Sequence, residues 1–75
     1  MAGRQLRGVR AREAIQAFIR AGGIRRKKGR SSHVNIKMPN GQIVTIPKQA
    51  DLKIGLLRSC IAKAGLTEDQ FLALL

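Results

Sequence analysis

The chain has 75 residues, 15 lysines and arginines against 4 aspartates and glutamates, a net charge of +11 and an isoelectric point near 11.7. That length accommodates one small domain, near the limit at which a hydrophobic core folds without metals or disulfides. The charge favours polyanionic partners, nucleic acid first among them.

The charge is lopsided. Arg4, Arg7, Arg10, Arg12, Arg20, Arg25, Arg26, Lys27, Lys28 and Arg30 precede residue 31 with only Glu13 against them. Tryptophan and tyrosine are absent, and Phe18 and Phe71 fall at helical core positions, which removes the aromatic platform used by many single-strand binders. Recognition is therefore expected to depend on backbone charge and shape. Cys60 is the one cysteine and lies in an apolar helical pattern, as expected of a small buried hydrophobe rather than a redox or metal group. The sequence contains no apolar run of membrane-spanning length, so a soluble, cytoplasmic protein with no membrane partner is expected.

Residues 1–8 show no periodicity and read as a flexible basic arm, followed by a single domain over residues 9–75. Ala11, Ala14, Ile15, Phe18 and Ile19 then recur at helical spacing, with Arg10, Arg12, Glu13, Gln16 and Arg20 on the opposite face. Gly22 and Gly23 end this helix. Ile24 to Lys28 is a basic strand candidate. Val34-Asn35-Ile36-Lys37-Met38 alternates strictly, Pro39-Asn40-Gly41 marks a turn, and Gln42-Ile43-Val44-Thr45-Ile46 is β-branched, which together predict a hairpin.

Its register follows from the apolar pattern. A two-residue Asn-Gly loop would pair Met38 with Ile43 and divide the apolar residues between both faces. A type I turn closed by Gly41 in a left-handed bulge shifts the pairing by one. Ile36 then opposes Val44, Val34 opposes Ile46, and one face becomes uniformly apolar. His33, Asn35 and Lys37 share the other face, with His33 opposite Pro47. A second helix is expected to begin between Asp51, a candidate N-cap, and Gly55, with Ile54, Leu57, Cys60, Ile61 and Ala64 inward and Gly65 as its stop. A short third helix should start at Thr67, with Gln70 completing a capping box. The expected fold class is thus α+β, an α-β-β-β-α order with a three-stranded antiparallel sheet, helices on one face and a short C-terminal helix.

The sequence has no Gly-rich phosphate loop, no Cys/His metal spacing and no Ser/His/Asp set. Neither a metal nor a cofactor is expected. His33 remains as the candidate catalytic group, directly after the run Lys27-Lys28-Gly29-Arg30-Ser31-Ser32. RNA carries its own nucleophile in the 2′-hydroxyl, so strand scission requires a group titrating near neutrality and cations around the phosphate. The alternative is a basic strand and loop that bind RNA without cleaving it.

A basic strand, Ser32-His33 opening the next, Pro39-Asn40-Gly41, Pro47, Gly55-Leu56-Leu57-Arg58-Ser59, Ala64-Gly65-Leu66 and Phe71 together resemble the HicA toxins, mRNA interferases of HicAB toxin–antitoxin systems. The resemblance runs from about Val9 to Phe71. It implies a double-stranded-RNA-binding-like fold, metal-independent endoribonuclease activity on mRNA, and neutralisation by a HicB-like antitoxin that masks the His33 face. It matches His33 to the catalytic histidine. Lys27, Lys28, Arg30, Ser32, Lys37 and Lys48 are the expected RNA-binding residues. Three positions depart from the family pattern: Ser31 stands where glycine is usual, Val34 replaces a frequent second histidine, and Lys48-Gln49 replaces a histidine after the strand-ending proline. The rival remains a non-catalytic RNA-binding module of the same fold.

Overall fold

The computed structural model describes residues 5–26, 32–48 and 51–75. Among these, the order is α1 (Ala11–Arg20), β1 (Ile24–Arg26), β2 (His33–Lys37), β3 (Ile43–Pro47), α2 (Ile54–Lys63) and α3 (Glu68–Ala73). The three strands form an antiparallel sheet in the order β1-β2-β3, with α1 packed over β2 and β3, and α2 over β3. The expected α+β class and element order are those observed.

The hairpin has the predicted register. Ile36 opposes Val44, Val34 opposes Ile46 and His33 opposes Pro47. Gly41 adopts φ of +86° and its N–H donates to the Met38 carbonyl at 2.9 Å, while the Met38 N–H donates to Gln42 at 2.8 Å. Asn40 holds the turn from both sides: its side-chain oxygen accepts from the Gln42 N–H, and its amide donates to the Lys63 carbonyl at 3.0 Å. The turn thereby ties itself to the C-terminus of α2, where orphan carbonyls need donors.

Val34, Ile36, Met38, Val44 and Ile46 are buried under the helices together with Phe18, Leu57, Ile61 and Phe71. The Phe18 and Phe71 rings, 5.0 Å apart and tilted by 45°, join α1 to α3. Cys60 is buried as expected, and burial pushes its thiol upward from the usual range, against a smaller opposing effect of Lys63. Its Sγ lies 3.8 Å from the Thr45 carbonyl. Both long helices end in paired bonds across a left-handed glycine. Gly23 donates to Phe18 and Gly22 to Ile19 after α1; Leu66 donates to Ile61 and Gly65 to Ala62 after α2. At α3, Thr67 and Gln70 form the reciprocal cap predicted from sequence.

Three details differ from expectation. Leu6 is buried and residues 6–8 turn through Gly8, at φ of +77°, so the core begins within the stretch read as a flexible arm. Residues 1–4 lie outside the described residues. In α1 the inward position is Ala17, whereas Ile19 is 37% exposed, because a tightly packed helix–sheet contact takes the small side chain at that angle. Asp51 does not cap α2; it forms an isolated antiparallel bridge with Arg10, the Leu52 N–H donates to the Val9 carbonyl, and α2 starts after Lys53. β1 is described over Ile24–Arg26; the last two residues of the expected strand, Lys27 and Lys28, lie outside the described residues.

Two glycines should respond oppositely to alanine. A Cβ on Gly23 would stand 2.5 Å from Ile36 Cγ2 and 2.8 Å from Met38 Sδ and the Phe18 carbonyl, whereas one on Gly55 meets nothing within 4 Å. In urea unfolding, Gly23→Ala should lose about 1–3 kcal/mol through overpacking, and Gly55→Ala should gain about 0.4–1 kcal/mol through restriction of the unfolded chain. Equal effects would contradict the packing described.

Candidate active site

Strand alternation and the hairpin register place His33, Asn35 and Lys37 on the sheet face that carries no helix among the described residues. Opposite partners share a face, so Arg26 joins Asn35, Ile24 joins Lys37 across β1–β2, and Thr45 and Ile43 join them across β2–β3. His33, Lys37 and Arg26 are exposed and Asn35 is half-buried. This face is a shallow plane with an imidazole at one end and cations beside it.

Ser32 Oγ lies 3.2 Å from His33 Nδ1. The contact engages that nitrogen and restrains the ring relative to the strand. Ser32 thus acts on the histidine, where the sequence assigned it only to ligand binding. Further along, two residues from His33, Thr45 Oγ1 donates to Asn35 Oδ1 at 2.8 Å, which directs the amide N–H groups of Asn35 away from Thr45. Asn35 was not among the expected site residues. Its signal was legible in retrospect: it shares the histidine's face, and a hydroxyl stands directly across the hairpin from it.

The other expected residues divide. Lys37 is on the His33 face. Lys48 is not: its N–H donates to the Ser32 carbonyl at 2.8 Å, and its side chain lines a cleft on the helix side with Val34 and Arg25. One step beyond Pro47, strand alternation sends it to the opposite face, so it cannot be grouped with Lys37. Lys27, Lys28 and Arg30 lie outside the described residues. Among the described residues, no three histidine, cysteine or acidic side chains come together as a metal site would require, and no helix is long and apolar enough to cross a membrane.

The sequence profile of the HicA toxins of bacterial toxin–antitoxin systems matches residues 11–66. The chain belongs to the HicA toxin family. No curated protein matches it. The HicA match opens at the first residue of α1 and closes at Leu66, and so includes the whole sheet, both of its faces and His33. Three contributors to the core fall outside it, Leu6, Val9 and Phe71. Membership makes the protein the toxin of a toxin–antitoxin pair, and implies an antitoxin as its partner.

The Asn35–Thr45 bond should be measurable without activity. A double-mutant cycle with Asn35→Ala and Thr45→Ala, followed by denaturant unfolding, is expected to give a coupling of about 0.2–1 kcal/mol, the range of cross-strand polar pairs. Strict additivity would mean that the amide is not held by the hydroxyl.

Proposed function

We propose that this toxin is an endoribonuclease, an mRNA interferase in which His33 acts as general acid or base on the 2′-hydroxyl or the leaving oxygen. The observation that carries this reading is the placement of His33: exposed at the start of β2 on the helix-free face, its Nδ1 engaged by Ser32, with Lys37 on the same face. The 2′-hydroxyl attacks the adjacent phosphorus, the bond to the 5′-oxygen breaks, and a 2′,3′-cyclic phosphate and a 5′-hydroxyl result. Proton transfer through an imidazole and charge stabilisation by lysine and arginine are sufficient for this chemistry, so no metal is required. Lys27, Lys28 and Arg30, which precede the histidine in sequence, supply phosphate contacts in this reading, and the amide of Asn35 adds a donor. The fold in this reading resembles the double-stranded-RNA-binding kind, and recognition depends on backbone charge.

Purified protein should cleave RNA and not DNA of the same sequence, leave 5′-hydroxyl ends, and retain its activity in EDTA. His33→Ala should reduce cleavage by about 10²–10⁴-fold, the usual contribution of general acid–base catalysis, and abolish growth arrest while RNA binding persists. Full cleavage by this variant would sink the mechanism. RNA binding with no cleavage by the unaltered chain would favour a non-catalytic binding module instead.

The antitoxin, of the HicB kind, covers the helix-free face in this reading and inhibits by denying RNA access to His33. Titrating it into isotope-labelled toxin should shift the amide signals of His33, Asn35 and Lys37 first. Shifts confined to the α2–α3 side would place the partner elsewhere.

A further inference from the structure

The helical layer does not cover the sheet evenly. With α1 over β2 and β3, the helix side of β1 forms the wall of a cleft of about 550 Å³ against the outer flank of α1, a size typical of ligand sites. Arg10 and Arg12 lie on the α1 side, Arg25 on β1, and Lys48 just past β3; Ala11, Ile15 and Val34 supply apolar lining. Among the described residues no acidic side chain lines it. Asp51, although bridged to Arg10 through the backbone, contributes nothing to the lining.

Four cations around one hollow repel each other, and an apolar lining lowers the local dielectric and strengthens that repulsion. The same arrangement attracts a polyanion. We infer that this cleft is a second RNA subsite, which holds the sugar–phosphate backbone of single-stranded RNA next to the cleaved phosphodiester. Arg12, Arg25 and Lys48 meet successive phosphates there, and the apolar lining receives the ribose. The inference rests on the ribonuclease reading only for the identity of the polyanion.

The path between the two sites follows from the hairpin. Lys48 is joined to Ser32 by a backbone hydrogen bond at the open end of β2 and β3, and His33, the next residue after Ser32, projects to the opposite face. A strand leaving the cleft over this end therefore arrives at His33. The enzyme grips its substrate on one side of the sheet and cuts it on the other. Contact with both faces of the sheet requires a chain that bends sharply, so the arrangement selects flexible single-stranded RNA over a rigid duplex.

The test uses the full chain carrying His33→Ala, so that binding is read without cleavage, and a 2′-O-methyl oligonucleotide of about eight nucleotides, within the site sizes of single-strand grooves. Arg12→Gln combined with Arg25→Gln should weaken binding about tenfold at moderate salt. It should also flatten the slope of log K against log salt by about 1.4, since each phosphate contact to a single strand contributes about 0.7. Lys53→Gln with Lys63→Gln, which removes the same charge from the two ends of α2, should leave the slope unchanged. Both pairs are exposed, and circular dichroism checks that they fold.

An unchanged slope in the Arg12/Arg25 variant overturns the inference, and so does an equal change in the α2 control, which would reduce the effect to bulk charge. If the cleft variant instead loses antitoxin binding while its RNA slope is unaltered, the cleft belongs to the protein partner and the inference is equally overturned. A flattened slope supports the subsite even if the unaltered chain proves unable to cleave RNA, so the two readings fail separately.

Discussion

The position of Gly41 in a left-handed turn governs the rest of the molecule. Because side chains alternate along a strand, a slip of one residue in the β2–β3 pairing would exchange the two faces of the sheet. Val34 and Ile36 would lose their place beneath the helices, and His33 would turn inward. The bulge at Gly41 prevents this, and Asn40 reinforces it by bonding at once to the turn and to the Lys63 carbonyl at the end of α2. Core formation and presentation of the histidine are therefore one event: the register that buries the isoleucines is the register that exposes the imidazole.

This economy explains why so much of the fold was legible. The hairpin register came from a choice between a split and a uniform apolar face, and the helix ends came from Gly22, Gly65 and Thr67, whose local chemistry tolerates few alternatives. What was not legible depended on long-range contact. Leu6 lies in a stretch without periodicity, and its burial needs the packed helices to provide a site. Asp51 has the chemistry of a cap, yet a backbone bridge to Arg10 claims it. The sequence pattern can state that a residue suits a role, but tertiary contact decides which of two suitable roles it takes.

The candidate site shows the same division. His33 and Lys37 share a face because they are separated by an even number of residues on one strand, which sequence alone can count. Lys48 was grouped with them by charge, and the strand ending at Pro47 sends it to the other side. Arg12 and Arg25 stood in plain view as members of a basic run, but only the incomplete cover of β1 by α1 turns them into the walls of one cleft. For a protein with so many cations, charge locates the relevant half of the chain, and topology sorts individual side chains between faces.

The junction between Val9-Arg10 and Asp51-Leu52 has a different kind of consequence. Strand partners in the sheet are near neighbours in sequence, whereas this junction joins segments on either side of the entire sheet. Closing such a loop costs more chain entropy than closing a hairpin, and contacts of that kind slow folding most. The chain accordingly has a natural order of assembly, with hairpins early and this clasp late. A nascent or partly opened molecule can hold its sheet in register, with the His33 face outward, before Leu6 and Leu52 have closed the core behind it.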